Sequence, residues 1–338
     1  MRCLTLAEDL RVHGARVSFI CRALPGEMSD AIESRGFNVA RLATLDPGSG
    51  GAELAHLDAL DTGTVIAALG MAVHWLIVDH YALDRSWEMA LRDSTRHIMV
   101  IDDLADRPHD CDLLLDQNFT NPRHAQYARL LPPNARCLLG TRYALVGADF
   151  ARARPVALAR RAGQLQRVLV TMGGSDPAND TATVLTGLAE HAAAWSSLDV
   201  VIGAGNPHRR EVAGLCNRIP SAELHIQTTH MAELMTRADL AVTGSGSTTW
   251  ERCVLGLPAL VTVQSRDQAA SAYSLEQMGA HRVLGWSGTV TPTDYERAVS
   301  ALDPRDLTHM SSASAAACDG TGTRRVTSEL FSWSTQPA

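Results

Sequence analysis

Residues 239–256 read DLAVTGSGSTTWERCVLG. The apolar residues up to Val242 predict a buried strand, and the residues from Thr248 to about Gly256 predict a helix. The small residues between them let a ligand approach the backbone closely. A helix start also offers unpaired N–H groups and a positive dipole end, which suit phosphate. The stretch therefore predicts a strand–loop–helix unit that forms the floor of a diphosphate site.

A second loop of this kind lies earlier, where residues 171–176 read TMGGSD after another predicted strand. By itself, this loop is as typical of a tight turn in which Asp176 caps the next helix, with Pro177 in the first turn. Two such loops in one half of the chain favour a nucleotide-type ligand.

Two acidic residues near these loops each have two interpretations. Glu251 stands three residues after Thr248, which is the spacing of a capping box, or it accepts the two hydroxyls of a ribose. Asp267 follows the predicted strand 259–263 and either caps the next helix or hydrogen-bonds sugar hydroxyls. Spacing alone leaves both alternatives open.

Apolar runs alternate with helical patterns along the chain, which predicts parallel strands with covering helices. A length of 338 residues is sufficient for two domains. We expect an α/β fold with two facing Rossmann-like domains, in which ligands bind at the carboxyl ends of the strands. The predicted parts are an N-terminal domain at 1–148, an arginine-rich linker at 149–166, a C-terminal nucleotide-binding domain at 167–326 and a tail at 327–338. We interpret the linker as a solvated helix, with a phosphate-binding basic patch as the alternative, and we expect a short terminal helix near 325–331. The predicted strands are 15–21, 38–42, 75–79, 97–102, 113–116, 137–140, 167–171, 198–202, 223–227, 239–242, 259–263 and 281–284.

The N-terminal half starts on a helix, because Cys3, Leu6, Ala7 and Leu10 fall on one helical face. A doubly wound domain normally starts with a strand in the middle of its sheet. Either the fold is unusual or the first strand lies upstream of Met1, and we expect the second.

Composition narrows the class of function. The net charge of −7 argues against nucleic acid or an anionic membrane surface as the main partner. Seven scattered cysteines without CxxC pairs predict neither zinc nor a disulfide framework, which fits a reducing cytoplasm. No apolar run has the length of a membrane span. We expect a cytoplasmic protein, monomeric, with a small-molecule substrate.

The residues Asp79-His80-Tyr81 end the predicted strand 75–79 and are candidates for an acid–base or orienting role, with Tyr81 as the expected functional residue. The alternative is that Asp79 caps the next helix and His80 is an ordinary polar residue. Asp102-Asp103 ends another strand, but no matching third ligand accompanies this pair, so we expect no metal.

Six motifs together resemble the UDP-sugar hydrolases of pseudaminic acid biosynthesis. In chain order they are MRCLTLA at 1–7, IVDHY at 77–81, DD at 102–103, GTRYAL at 140–145, MGGSD at 172–176 and STTWERC at 247–253. The resemblance implies a GT-B fold of the MurG type. It also implies hydrolysis of UDP-2,4-diacetamido-2,4,6-trideoxy-β-L-altrose to UDP and free sugar, without a metal or cofactor. A GT-B glycosyltransferase and a non-catalytic UDP-sugar-binding remnant are the alternatives.

The resemblance also implies roles for single residues. Glu251 matches the ribose-binding acid, and Tyr81 faces the reacting centre. In the family a Gly-His loop precedes the Met-Arg-Cys stretch and supplies the general base, so we expect that histidine upstream of Met1 and little hydrolysis by this chain. Asp267 replaces an asparagine of the family. The residues expected to contact UDP or the sugar are Gly173, Gly174, Ser175, Gly246, Ser247, Thr248, Glu251, Asp267 and Gln268.

Overall fold

A computed structural model describes residues 1–24, 27–45, 50–118 and 123–334 of the chain. The chain divides into two compact units, and each contains parallel strands with helices. Unit 1 comprises Met1–Leu145 and Thr323–Ala338, and unit 2 comprises Val146–Gly322. No helix in the described part of the chain combines the length and the apolar character needed to cross a membrane.

The secondary structure alternates between helix and strand in both units. The strands are β1 Ser18–Arg22, β2 Asn38–Leu42, β3 Trp75–Val78, β4 His97–Ile101, β5 Leu113–Asp116, β6 Arg136–Leu139, β7 Arg167–Thr171, β8 Ser197–Ile202, β9 Ala222–Ile226, β10 Leu240–Gly244, β11 Ala259–Val263 and β12 Arg282–Trp286. The helices are α1 Arg2–Val12, α2 Ser29–Ser34, α3 Gly51–Ala68, α4 Arg85–Leu91, α5 Arg123–Tyr127, α6 Ala148–Ala159, α7 Asp180–Ala192, α8 Arg209–Cys216, α9 Met231–Arg237, α10 Thr248–Val254, α11 Arg266–Gln277, α12 Pro292–Ser300, α13 Pro304–Ala317 and α14 Gly322–Ser334. Each of the twelve predicted strands is present, with ends that differ by at most three residues.

Unit 1 has two sheets among its described residues. β1 pairs with β2, and β3, β4, β5 and β6 form a second parallel sheet in that order. Helix α1 packs on both sheets, because Leu6 and Leu10 join the core of the second sheet while Leu4 and Ala7 pack with Phe37 and β1–β2. Helix α1 thus contributes side chains to the cores of both sheets.

The last helix of the chain belongs to the core of unit 1. Val326 and Leu330 of α14 are buried with Leu6 and Met99, and Leu330 accepts a hydrogen bond from the Trp75 indole at 3.2 Å. The short helix predicted near 325–331 is thus present, but it extends to residue 334 and packs in the core of unit 1. The last four residues of the predicted tail lie outside the described part of the chain.

Unit 2 has one six-stranded parallel sheet in the order β12–β11–β10–β7–β8–β9. The chain winds outward from β7 through β8 to β9, and then returns to place β10 on the other side of β7. The direction of winding reverses between β7 and β10, so this pair of strands is the topological switch point of the sheet. In open α/β sheets, ligands bind in the crevice at the carboxyl ends of the strands at such a point.

The arginine-rich stretch predicted as a solvated linker is helix α6 and a following turn, both within unit 2. Arg154 donates hydrogen bonds to the carbonyls of Val254, Cys318 and Ala315 at 2.6–2.9 Å. Arg161 donates to carbonyls of Met235, Ala238 and Leu255. These arginines satisfy carbonyls at the ends of helices α9, α10 and α13, which the helices themselves leave unpaired.

Candidate active site

The two glycine-rich loops lie on the two strands of the switch point. Thr171 of β7 pairs in register with Thr243 of β10, so the loops that follow start side by side at the carboxyl end of the sheet. Gly244 of β10 pairs in turn with Thr262 of β11, which places the loop before α11 next to them. The structure therefore brings the three predicted ligand-binding loops of unit 2 to adjacent positions.

The first loop makes its sharp turn at Gly173, whose φ of +95° lies in the left-handed region that favours glycine. Gly174 and Ser175 are exposed, whereas Asp176 is buried. The Asp176 carboxylate accepts hydrogen bonds from the backbone N–H groups of Asp180 and Thr181, each at 2.9 Å. A carboxylate thus already occupies the start of α7, so donors for an anion in this loop come from residues 173–175.

Helix α10 begins at Thr248, as predicted. Its cap position is Ser247, and no side chain caps it. The capping-box interpretation of Thr248 and Glu251 is therefore wrong, because Thr248 is already the first residue of the helix. Gly246 and Thr248 are half-buried and Ser247 is exposed, so this loop presents small hydroxyl residues and backbone to solvent.

Glu251 lies one turn into α10 and is half-buried. Burial, together with the charge of Asp149, raises the pKa of its carboxyl to about 7. This carboxyl changes its charge near neutral pH, and a ligand that donates hydrogen bonds to it would favour the ionised form.

The third loop also contradicts the capping interpretation. Helix α11 has Ser265 at its cap position and no side-chain cap, and Asp267 lies within the first turn instead. Asp267 and Gln268 are half-buried. Gln268 accepts a hydrogen bond from the Ser245 hydroxyl at 2.7 Å, so this third loop is tied to the second.

Sequence reasoning missed Gln264, which follows β11 and contacts both glycine loops. Its side-chain amide donates to the carbonyl of Met172, and its backbone N–H donates to the Ser245 hydroxyl at 3.2 Å. The available signal was its place directly after a buried strand, two strands away from β7.

Tyr81 lies in unit 1, after β3, and its side chain is 50% exposed. Its hydroxyl is 3.5 Å from Asp103 Oδ2. Asp79 does not cap α4, since Asp84 does so by accepting from Ser86 N at 2.9 Å. His80 Nδ1 accepts a hydrogen bond from Ala82 N at 3.1 Å.

Asp79 and Asp103 are joined by the guanidinium of Arg2. Arg2 binds both oxygens of Asp79, at 2.6 and 3.0 Å, and Asp103 Oδ2 at 3.0 Å. Burial would raise the pKa of Asp79, but the hydrogen bonds and charge of Arg2 outweigh it and hold that pKa below its usual range. The carboxylates of Asp79 and Asp103, at the ends of β3 and β4, thus share one cation beside Tyr81.

Asp102 faces its own cation, Arg107, at 2.9 Å and accepts from the Tyr127 hydroxyl at 2.9 Å. The described residues Asp199, Glu223 and His225 bring three potential metal ligands within 4.8 Å of one another on β8 and β9. His225 Nε2 is already hydrogen-bonded to Asp199 Oδ1 at 2.8 Å. This group lies on the strands themselves and away from the three loops.

Comparison with known proteins agrees with this geometry. The crystal structure of MurG from Acinetobacter baumannii superposes with a TM-score of 0.63 at 15% identity, covering 98% of this chain and 95% of MurG. The UDP-GlcNAc 2-epimerase from Neisseria meningitidis, solved with UDP-GlcNAc bound, gives a TM-score of 0.62 at 13% identity and covers 98% and 96% of the two chains. This chain has the MurG-like two-domain α/β fold, GT-B.

A family match concerns the C-terminal half of the chain. Residues 168–325 match the glycosyltransferase family 28 C-terminal domain. The spore coat polysaccharide biosynthesis protein SpsG of Bacillus subtilis is 31% identical over 159 residues, which are 45% of this chain and 44% of SpsG. The chain therefore spans less than half the length of this curated relative. The matched family domain includes all three loops at the switch point.

Proposed function

We propose that this protein binds a UDP-linked sugar and cleaves the bond between the sugar and the diphosphate. The observation that carries the proposal is the pair of glycine loops on β7 and β10 at the switch point of the unit 2 sheet. Support comes from the match of residues 168–325 to the glycosyltransferase family 28 C-terminal domain. The epimerase that shares the fold was solved with UDP-GlcNAc bound.

Each loop has a role in this proposal. Residues 173–175 and 246–248 donate backbone and hydroxyl hydrogen bonds to the diphosphate, since both segments present small residues to solvent. Glu251 in its ionised form accepts the ribose hydroxyls. Asp267 and Gln268 contact the sugar or the adjoining phosphate from the start of α11.

The acceptor in the proposed reaction is water. A water oxygen forms a bond to the anomeric carbon while the bond from that carbon to the diphosphate oxygen breaks. UDP leaves with the electron pair, and a base takes the proton of the water. Hydrogen-bond donors of the two glycine loops stabilise the charge that develops on the leaving UDP. Tyr81, held near Asp103, is the unit 1 residue that we assign to the reacting centre.

The substrate is UDP-2,4-diacetamido-2,4,6-trideoxy-β-L-altrose, on the strength of the six motifs that resemble the hydrolases of pseudaminic acid biosynthesis. The second candidate is transfer of the sugar to an organic acceptor. The match to the glycosyltransferase family 28 C-terminal domain favours this candidate, because the matched family consists of transferases and the match covers the same loops.

Product analysis separates these functions. The chain is incubated with the UDP-sugar in ¹⁸O-labelled water, without any acceptor and for long enough to detect the slow hydrolysis expected of it, and the products are analysed by mass spectrometry. Free sugar that carries one ¹⁸O at its anomeric position, together with unlabelled UDP, supports hydrolysis. Products that appear only after an acceptor is added support the transferase instead.

Nucleotide binding is tested first, by calorimetry with UDP. The Glu251→Ala variant is expected to lose at least tenfold in affinity, since two charge-assisted hydrogen bonds are removed. Glu190→Ala, at an exposed position of α7, is the matched control and is expected to bind normally. If the unaltered protein shows no affinity for UDP, the proposed function is wrong.

A further inference from the structure

We infer that Gln264 is a positioning residue that ties the two glycine loops together and sets their separation for one diphosphate. The inference deepens the proposed function and rests on it, because it gives the two loops a common ligand. Nothing in the motifs of the chain points to Gln264. The structure does so through the contacts of its side chain and its backbone.

The side chain of Gln264 reaches across a whole strand. Gln264 follows β11, and its amide nitrogen donates to the carbonyl of Met172, which follows β7. In the sheet, β10 lies between these two strands. Neighbouring strands are about 4.8 Å apart, so this bond bridges roughly 10 Å between strand axes. A long side chain with a terminal donor is required at this position.

The strand that is crossed has a glycine at the crossing point. A Cβ placed on Gly244 would collide with the carboxamide of Gln264. A Cβ on Gly173 would lie at an ordinary contact distance of 3.7 Å from the same carboxamide. Gly244 is buried and does not have a positive φ, so its backbone conformation does not require glycine. The missing side chain at Gly244 therefore leaves the space that the Gln264 carboxamide occupies.

The backbone of Gln264 adds a second tie. Its N–H donates to the Ser245 hydroxyl at 3.2 Å, and that hydroxyl donates to Gln268 Oε1 at 2.7 Å. Ser245 is buried beneath the exposed part of its loop. One residue thus holds the β7 loop through its side chain and the β10 loop through its backbone, while the start of α11 joins through Gln268.

These bonds fix the loops before a ligand arrives. A diphosphate that contacts both loops needs donors on each at a set spacing, and preorganised donors cost less free energy to bring together. The Gln264 amide is already bonded to the carbonyl of Met172, so we assign this residue a positioning role and no contact with the ligand.

The test compares Gln264→Leu with Gln166→Leu. Gln166 is exposed at the opposite, amino end of β7, so the control makes the same change far from the loops. We expect Gln264→Leu to weaken UDP binding about tenfold, because the ligand must then order two loops that are no longer held at a set spacing. The affinity for uridine, which has no phosphate, should stay within twofold. Calorimetry for UDP and NMR titration for uridine give the two values.

Hydrogen–deuterium exchange on the free protein supplies a readout that does not depend on the ligand. Peptides covering 168–176 and 240–250 should both exchange at least threefold faster in Gln264→Leu, while a peptide covering 197–202 should be unchanged. If Gln264→Leu does not fold, Gly244→Ala serves instead, because its methyl group displaces the same carboxamide.

The outcomes are distinct. Unchanged exchange in both loops overturns the tie between them. Faster exchange with unchanged UDP affinity overturns the positioning role, and equal losses for UDP and uridine overturn it in favour of general destabilisation. If the unaltered protein does not bind UDP, the proposed function and the role toward a diphosphate both fall, while the exchange data still decide whether Gln264 joins the loops.

Discussion

Arg252 and His281 form a hydrogen bond inside unit 2 in which the guanidinium donates to His281 Nδ1. His281 Nε2 then donates to the carbonyl of Ala272 at 2.8 Å. Both side chains are buried, Arg252 completely. With a cation against one ring nitrogen and a carbonyl against the other, the imidazole is held neutral. Burial and the charge of Arg252 lower the pKa of His281 well below its ordinary value.

This pair predicts acid sensitivity of unit 2. In the unfolded chain His281 gains a proton below pH 6.5, and in the folded protein it does not. The free energy of unfolding should therefore decrease by about 1.4 kcal/mol for each pH unit below 6.5 on account of this residue. Urea unfolding at several pH values between 7.5 and 5 measures the slope. His281→Gln should remove this part of the slope, whereas His230→Gln, at an exposed position, should retain it. Equal slopes in all three proteins would show that His281 is protonated in the folded state.

Arg252 itself predicts a stabilising substitution. Its Nε and Nη1 atoms are buried and have no hydrogen-bond partner among the described residues, and burial lowers its pKa. A buried charge without such partners carries a desolvation cost on the order of several kcal/mol, which an apolar side chain of similar length avoids. We expect urea unfolding of Arg252→Met to shift to higher concentration. Arg237→Met, on the exposed end of α9, should change stability by less than about 0.5 kcal/mol. A large loss of stability in Arg252→Met, without one in Arg237→Met, would mean that ordered water hydrogen-bonds to the Arg252 guanidinium.

Asp176 predicts a local loss of stability. Its carboxylate accepts two backbone N–H groups at the start of α7, at 2.9 Å each. Loss of such a cap costs about 0.5–2 kcal/mol, so Asp176→Ala should lower the midpoint of thermal unfolding. The neighbouring Ser175→Ala change, at an exposed position, is the control and should leave the midpoint in place. A result in which both variants unfold alike would contradict the capping role.

Glu251 predicts that UDP binding depends on pH. The ionised carboxylate is the form that accepts ribose hydroxyls, and the pKa of about 7 means that this form is lost as the pH falls. UDP affinity should therefore decrease about tenfold between pH 8 and pH 6. Calorimetry across this range should show that Glu251→Gln has a flatter profile than the unaltered protein. The exposed Glu190→Gln control should keep the steep pH profile of the unaltered protein. A steep profile in Glu251→Gln would assign the titration to another group, such as the phosphate.

The strands were predictable because buried parallel strands are short apolar runs, and the apolar residues 97–101 and 259–263 fit that pattern. The switch point was not predictable, since it depends on the order in which strands pair. The capping interpretations of Thr248 and Asp267 were wrong. Thr248 and Asp267 have capping side chains, yet the helices α10 and α11 begin one or two residues earlier than those caps require.

The arginines of α6 show the same limit. Arg154 was expected in solvent, but its guanidinium meets carbonyls that are 100, 161 and 164 residues away in sequence. Gln264 was missed for a related reason, because its partner Met172 is 92 residues distant. The local sequence pattern predicts the secondary structure of a residue. Its hydrogen-bond partners depend on packing between segments that are distant in sequence.

Because α14 belongs to unit 1, a truncation at the carboxyl end of the chain affects the two units differently. Unit 2 is one continuous segment, whereas unit 1 is built from both ends of the chain. A stop codon near residue 322 would leave the two glycine loops of unit 2 intact. It would remove Val326 and Leu330 from the core that contains Leu6 and Met99. A truncation at the 3′ end of the gene would thus destabilise the amino-terminal half of the protein.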